Sequence, residues 1–332
     1  MLDQYGRKIE YMRISVTDRC NLRCRYCMPE EGLHAIPREE ILTFEEIERI
    51  VRVSAGLGIH SVRLTGGEPL ARKGIASLVS KILSVPDIRC CRLTTNGILL
   101  EDQLPELLEA GLGGVNISLD TMTPVRFMDI SRRDMLDRVF AGMNAAIAAA
   151  KRESHFSVKI NCVPMKGFNE DELAKIALLA KDRPISVRFI ELMPIGLGNV
   201  WQGMAQEEVM EVLARELGIR TWRTEEERSG SGPAVYYRPD GWTGSIGFIS
   251  AMSHKFCESC NRIRLTSDGL LKSCLQYTAT TDLRDMMRGG CSDEDLEGAI
   301  RDVIFRKPKS HSFLDPNPDP ARETRKMSGI GG

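Results

Sequence analysis

The sequence has almost no net charge: 45 Lys and Arg stand against 46 Asp and Glu, for a formal charge of -1 at pH 7. A chain so balanced offers no general basic face to nucleic acid or to an anionic membrane. Any anionic partner has to be held by a local cluster of cations. Long apolar runs are also missing. No stretch reaches the roughly 20 apolar residues that a membrane span requires, and the polar segment from Met1 to Glu10 lacks the apolar centre of a secretory signal. The expectation is a cytoplasmic protein with no nucleic-acid and no membrane partner. Histidine is scarce, with 5 in the whole chain.

What is present is length, core and cysteine. A chain of 332 residues with 42% hydrophobic content accommodates one large domain with an appendage or two modest ones. The cytoplasm keeps thiols reduced, so 10 cysteines read as metal ligands before they read as disulfides. Cys20, Cys24 and Cys27 form a C-x3-C-x2-C loop. A four-iron cluster normally takes four thiolates, so three leave one iron open to an exogenous ligand. The alternative, a structural zinc loop, calls for a second cysteine pair or nearby histidines. The nearest histidine is His34, on a loop crowded by Pro29 and Pro37. Cys90, Cys91, Cys162 and Cys291 lack ligand spacing and read as small buried hydrophobes.

From Tyr11 to about Leu217 strand-like runs alternate with helical ones, the pattern of repeated βα units. Strands are expected over Tyr11 to Thr17, Ser61 to Thr65, Cys91 to Thr95, Gly114 to Leu119, Ser157 to Val163 and Ile185 to Leu192. Capping boxes are expected at Thr43 with Glu46, for a helix to Ser54, and at Asn169 with Glu172, for a helix to Lys181. Six such units favour a curved parallel sheet or partial barrel. The strands alternate: Arg13, Ser15 and Thr17 share a face, as do Ser61, Arg63 and Thr65; Arg92, Thr94 and Asn96; Asn116, Ser118 and Asp120; and Lys159 and Asn161, with Arg188 on the last strand. The residues between them are mostly apolar. A period of two puts the polar members on one side of the sheet and leaves the apolar side for the helices. An antiparallel sheet with one wet face shows the same alternation but needs no helix between strands. A polar interior lined by Arg13, Arg63, Lys159 and Arg188 suits an anion, although Glu68, Asp120 or Glu191 are available as ion-pair partners. Gly66 and Gly67 follow the second strand, level with the cysteine loop, and would let backbone approach a ligand closely.

A charged, Gly-rich span from Thr224 to Pro233 reads as a boundary or exposed loop. A second set, Cys257, Cys260 and Cys274, has C-x2-C-x13-C spacing. It reads as a second three-thiolate cluster, or with His254 as a Cys3His zinc site. Arg262 and Arg264 alternate with Ile263 and Leu265, so both guanidiniums face one way. They suit a phosphate-bearing substrate, since the guanidinium fork matches phosphate oxygens, or they are solvated surface charges. The tail from Asp315 to Gly332 is rich in proline and glycine, and its composition alone reads as a disordered terminus.

The first cysteine loop and the Gly66-Gly67-Glu68-Pro69 turn resemble the radical S-adenosylmethionine (SAM) superfamily. With the second cysteine set, the Cys260-Asn261-Arg262-Ile263-Arg264 run and the terminal Gly331-Gly332, the resemblance narrows to the GTP 3',8-cyclase family of molybdenum cofactor biosynthesis, over essentially the whole chain. It implies an α/β fold, an incomplete (β/α)6 TIM-like barrel over residues 1–220, with residues 221–332 as a C-terminal segment carrying a second cluster. It implies two 4Fe-4S clusters, on Cys20, Cys24 and Cys27 and on Cys257, Cys260 and Cys274. SAM would be contacted by Tyr26, Gly67, Ser118 and Met193, and GTP by Arg13, Arg63, Thr94, Lys159, Arg262, Ile263 and Arg264. Catalytic assistance would come from Arg262, Arg264, Gly331 and Gly332. The implied reaction is reductive SAM cleavage, abstraction of the ribose 3' hydrogen, and attack of that carbon on guanine C8. The implied partners are a flavodoxin-type electron donor and the downstream cyclic pyranopterin-forming enzyme; a homodimer is compatible, and the sequence leaves oligomeric state open. Two competing readings remain: a radical SAM peptide-modifying enzyme with an auxiliary cluster, and a non-catalytic metal-binding protein.

Overall fold

A computed structural model describes residues 1–32, 35–225, 232–315 and 321–331. His34, Gly332, residues 226–231 of the Gly-rich span and residues 316–320 of the tail therefore lie outside the described residues. Six strands, β1 (Tyr11–Ser15), β2 (Ser61–Thr65), β3 (Cys90–Thr95), β4 (Gly114–Ser118), β5 (Ser157–Cys162) and β6 (Ser186–Ile190), pair in chain order, all parallel. The C-terminal part adds β7 (Val235–Tyr237), β8 (Ser245–Ile249), β9 (Arg262–Leu265), β10 (Leu270–Lys272) and β11 (Thr281–Asp282) to the same sheet. β9 runs parallel to β1 on one flank and β8 parallel to β6 on the other, while β7, β10 and β11 pair antiparallel, with β7 and β11 at the two edges. The barrel is thus incomplete, and both flanks are extended by later strands.

Helices α1 (Phe44–Gly56), α2 (Ile75–Leu83), α3 (Leu100–Glu109), α4 (Pro124–Ser131), α5 (Leu136–Arg152), α6 (Leu173–Ala177) and α7 (Gln206–Leu217) lie between strands, and α8 (Leu283–Arg288) and α9 (Asp293–Phe305) follow them. The alternation read from sequence sorts the two faces. Met12, Ile14, Val62, Leu64, Leu93, Ile117, Ile160 and Val187 are fully buried in one core with the helices, including Ile47 and Ile50 of α1 and Leu78 and Ile82 of α2. Full burial of each such side chain contributes roughly 1.5–3 kcal/mol. Among the described residues, no helix is long and apolar enough to cross a membrane.

Several local expectations are corrected. β1 stops at Ser15, two residues before Thr17; the Val16 amide still donates to the Thr65 carbonyl, and the chain then leaves the sheet for the cysteine loop. β6 is likewise shorter than Ile185 to Leu192. Thr43 and Glu46 do form the capping box of α1, but Asn169 and Glu172 form none. The Asn169 amide bonds to the Asp120 and Val163 carbonyls and accepts from the Met165 amide, while Glu172 accepts from Thr121 Oγ1 and the Met122 amide. The pair ties the loops after β4 and β5 together, and α6 ends at Ala177 rather than Lys181. Cys91 and Cys162 are buried, whereas Cys90 and Cys291 keep some exposed surface; Cys90 shares the polar face of β3 with Arg92 and Thr94.

Residues 321–331 of the tail are not the loose terminus its composition suggests. The Thr278 amide donates to the Ala321 carbonyl and the Glu323 amide to the Gln276 carbonyl. The Glu323 carboxylate, 2% exposed, accepts from the fully buried Lys272 ammonium. Ile330 is fully buried against Ile195, Leu275 and Phe313. A buried ion pair and an apolar anchor outweigh the backbone freedom that glycine and proline content alone would suggest.

Leu64→Ala should cost about 2–5 kcal/mol by opening a cavity in this core, and Thr43→Ala about 1 kcal/mol by removing a cap. Urea unfolding of the metal-free protein checks both; equal effects would contradict the packing described.

Candidate active site

Parallel pairing sets the lumen. Arg264 lies opposite Arg13, Arg13 opposite Arg63, and Arg63 opposite Arg92, so four adjacent strands carry one row of arginines. Asn116 pairs with Lys159 and Asn161 with Arg188 further round the sheet. The acids that sequence offered as partners are engaged elsewhere. Glu68 accepts from Thr95 Oγ1 and the Asn96 amide, each at 2.7 Å. Asp120 accepts from Tyr26 Oη at 2.7 Å and the Val163 amide at 2.9 Å, and Glu191 from the Met252 amide at 2.6 Å. Arg63 Nε instead donates to Tyr11 Oη at 2.5 Å, and Arg188 Nε to Asn161 Oδ1 at 2.9 Å. Arg63 Nη1 and Thr94 Oγ1 are buried without a hydrogen-bond partner among the described residues.

Titration reflects this crowding. Burial, then the charges of Arg188 and Arg63, depress Lys159 to about 6. Burial, then Arg262, bring Arg264 down to about 10, and burial followed by Arg264 holds Arg13 well below the ordinary arginine range. Burial alone would raise Tyr11, yet the Arg63 and Arg13 charges pull it lower. Each shift has the same remedy, an anion in the lumen.

The first cysteine loop sits at the C-terminal ends of the strands. The Arg23 and Arg25 amides donate to the carbonyls of Ser131 and Ile130, and Asn96 Nδ2 donates to Asn21 Oδ1 at 2.7 Å. The glycine turn after β2 docks on this loop: the Gly67 amide donates to Thr17 O and the Glu68 amide to Arg19 O. A Cβ at Gly66 would meet Thr17 O at 2.6 Å and one at Gly67 would meet Arg19 O at 2.4 Å. The glycines are therefore required by backbone meeting backbone.

Both cysteine sets converge. The charges of Cys27 and Cys20 add to burial in holding Cys24 well above the ordinary thiol range, and burial pushes Cys20 up to about 12. In the second set burial, then Cys274 and Cys260, raise Cys257. Burial alone would raise Cys260, but the charges of Arg262 and Lys307 bring it to about 6. Three convergent thiols in each set fit a four-iron cluster with one open iron. Among the described residues no three His, Cys, Asp or Glu side chains close on a single ion. His254 turns away to Glu207, with Nε2 2.5 Å from its carboxylate, so the Cys3His zinc alternative is not what the chain builds.

A cavity of about 260 Å³ opens on the second set and reaches Tyr26 of the first cysteine loop. It is lined by Arg13, Tyr26, Thr94, Ser118, Met193, Arg262 and Arg264 of the expected site, together with Cys257, Cys260 and Cys274. Arg63 and Lys159 lie on the same sheet face, in register with Arg13 and Asn116. A wider cavity of about 690 Å³ opens at the other ends of the strands, by Glu10 and His60, and shares Phe256, Cys260 and Arg262 with the first. The inner cavity is the one that holds the second cysteine set together with Tyr26, Ser118 and Met193. Ile263 is not brought in: the alternation that turns Arg262 and Arg264 inward places its side chain fully in the main core. Gly331 is brought in, with φ +70° and its carbonyl accepting from Arg264 Nη1 at 3.0 Å; a Cβ there would stand 3.0 Å from Ser15 Cβ and Thr65 Oγ1.

Sequence reasoning missed Tyr11, Tyr236 and Lys307. Tyr11 shares the two-residue period of Arg13 and was legible. Tyr236, whose hydroxyl accepts from Lys159 Nζ at 3.0 Å, and Lys307, which lines the cavity, come from distant segments without a motif.

Comparison with known proteins agrees with this geometry. Residues 14–180 match the Radical SAM superfamily and residues 185–313 match Molybdenum Cofactor Synthesis C. The chain is 45% identical to a GTP 3',8-cyclase of Clostridium perfringens and 46% identical to one of Heliobacterium modesticaldum, in each case over 100% of both chains. Its fold is similar to that of Streptococcus suis SuiB bound to S-adenosylmethionine, with a TM-score of 0.57 over 89% of this chain and 68% of that one, at 17% identity. Two thiol triads, a cationic cavity, both family models and full-length identity to curated relatives place the chain in the GTP 3',8-cyclase family of the radical SAM superfamily.

Proposed function

We propose that the arginine row and Lys159 hold the triphosphate of GTP, and that the guanine is directed toward the second cysteine set. The observation that carries this is the row itself: Arg264, Arg13, Arg63 and Arg92 in cross-strand register. A tetra-anionic polyphosphate relieves that repulsion, and guanidinium forks match its oxygens. The chain is a radical SAM lyase that converts GTP to 3',8-cyclo-7,8-dihydroguanosine triphosphate, the first step of molybdenum cofactor biosynthesis. Residues 1–220 would carry SAM cleavage and residues 221–332 the second cluster and guanine, although one sheet runs through both.

Cys20, Cys24 and Cys27 would hold the first cluster, which with bound SAM supplies the one-electron chemistry that removes the ribose 3' hydrogen. Tyr26, Gly67, Ser118 and Met193 would contact SAM; Tyr26, Ser118 and Met193 line the cavity. Cys257, Cys260 and Cys274 would hold the second cluster. Arg13, Arg63, Thr94, Lys159 and Arg264 would fix the triphosphate, and Arg262, two residues after Cys260, would hold the guanosine end. Ile263 would contribute backbone only. Gly331, held by Arg264, and Gly332 beyond it would close the lumen against water, which a carbon radical needs to live long enough for C3' to bond to C8. A flavodoxin-type donor would supply electrons and a cyclic pyranopterin-forming enzyme would consume the product. A cytoplasmic setting keeps the free thiols reduced, and a homodimer is part of the same proposal.

The fold likeness to SuiB leaves peptide modification as the competing reading. Anaerobic reconstitution followed by measurement of 5'-deoxyadenosine with GTP, ATP or a peptide mixture separates them. Selective stimulation by GTP is expected; stimulation by peptide alone would end the GTP reading. Cys20→Ala should abolish SAM cleavage. Arg262→Ala with Arg264→Ala should retain both clusters but lose GTP turnover by at least about 100-fold, the scale of two charge-assisted contacts; normal turnover would contradict their role.

Lys159 sets a pH dependence. It is depressed to about 6 in the free protein, and an adjacent triphosphate returns it toward the ordinary lysine value of about 10.4. Between those values the bound state holds more protons than the free one. Binding therefore takes up about one proton, and affinity falls as pH rises through that window. Calorimetry of GTP binding at about pH 8 in buffers of different ionisation heat reads the uptake, which Lys159→Met should remove. Equal uptake in that variant would assign the proton elsewhere.

A further inference from the structure

We propose that Arg7 and Lys307 form a cationic clamp on the second cysteine set, in which Arg7 positions the Cys257 segment and Lys307 is a buried counter-charge to the cluster. The proposal rests on reading Cys257, Cys260 and Cys274 as that cluster's ligands. The two residues are 300 positions apart and belong to no motif.

Lys307 follows α9 and is 2% exposed. Its ammonium donates to the Arg262 carbonyl at 2.9 Å and to the Ser273 carbonyl. Arg262 stands two residues after Cys260, and Ser273 immediately precedes Cys274. One ammonium thus bridges two of the three cysteine-bearing segments. Arg7 reaches the third. Its Nη1 donates to the Cys257 carbonyl at 2.9 Å and the Lys309 carbonyl at 3.0 Å, and its Nη2 to the Pro308 carbonyl at 2.7 Å and the Lys307 carbonyl at 3.3 Å. The guanidinium therefore binds the Cys257 turn to the strand of chain that carries Lys307.

The two cations differ in one respect. Arg7 has a buried counter-ion, Asp3, whose Oδ2 lies 2.5 Å from its Nε. Lys307 has only carbonyl partners among the described residues. A buried ammonium without an anion is costly, and the requirement falls on whatever negative charge stands nearest. Its two carbonyl partners flank Cys260 and Cys274, and it lines the same cavity as all three cysteines. Thiolates, and the cluster they hold, are that anion. A fixed positive charge beside a cluster favours its reduced form, which carries one more negative charge. Lys307 also lines the inner cavity, so the same charge faces the substrate side.

The test uses the reconstituted full chain, with iron content per chain and a potentiometric titration followed by electron paramagnetic resonance. The second cluster is recognised as the signal that SAM does not shift. Lys307→Gln keeps donors for the two carbonyls and removes the charge; Lys307→Arg keeps the charge. The expected result is full iron in both, with the oxidised-to-reduced ratio of the second cluster raised at least tenfold at fixed potential in Lys307→Gln, ~59 mV for one electron, and unchanged in Lys307→Arg. Loss of about four irons in Lys307→Gln but not in Lys307→Arg would equally support a counter-charge. Full iron with an unshifted ratio in Lys307→Gln, or loss of the cluster in both variants, would overturn it. Arg7→Gln should lower second-cluster iron while 5'-deoxyadenosine formation at the first cluster persists; full second-cluster iron would remove Arg7 from the clamp. A wild-type protein with a single cluster signal would instead overturn the two-cluster reading, before any variant is compared.

Discussion

Four arginines side by side on the inner face of one sheet are the constraint on which the rest depends. Strands are about 4.8 Å apart, and at that spacing like charges repel by roughly 3 kcal/mol at an effective dielectric of about 20. Register permits no escape, because Arg264, Arg13, Arg63 and Arg92 are held opposite one another by backbone pairing. The carboxylates nearby, Glu68, Asp120 and Glu191, are occupied by amides and hydroxyls that shape the loops. The fold thus concentrates positive charge where those three acids are otherwise engaged, and the hydrophobic core on the other face of the same strands bears the cost.

That division of labour explains the architecture around the lumen. The apolar face of each strand packs on helices and supplies stability, and the polar face is released for binding. Loops at the C-terminal ends of the strands are fastened by the acids: Glu68 joins the β2 and β3 turns, and Asp120 joins Tyr26 of the cysteine loop to the start of the β5 turn. The contact of the Gly66-Gly67 turn with Thr17 and Arg19 leaves no room for a side chain, so the first cysteine set is placed by backbone as well as by its own residues.

The C-terminal part finishes the cavity rather than standing apart from it. β9 extends the arginine row by Arg264, and the tail, clasped by the buried Lys272–Glu323 pair, brings Gly331 to that arginine. The same region brings Lys307 and Arg7 to the second cysteine set. The arginine row, the tail and the second set therefore meet through β9, whose Arg262 and Arg264 face the cavity while Ile263 anchors the strand in the core.

Much of this is local information. Cysteine spacing, the glycine turn and the two-residue alternation of Arg13, Arg63, Thr94 and Lys159 are properties of short segments, so the partial barrel, both thiol triads and the polar lumen are written in the sequence. Where a short pattern has two uses, only packing chooses. Asn169 and Glu172 have the spacing of a capping box, yet they tie loops because Asp120, Thr121 and Val163 arrive beside them. The glycine-rich tail has the composition of a free end, yet its residues 321–331 are held by Lys272, Leu275 and Ile195, which lie far back in the chain. Lys307 and Arg7 carry no pattern at all. The sequence determined which faces are polar and which thiols form sets, because strand period and ligand spacing act over a few residues. The tertiary structure alone decided which cations lack an acid and which segments close the cavity, because those depend on partners that only folding brings within reach.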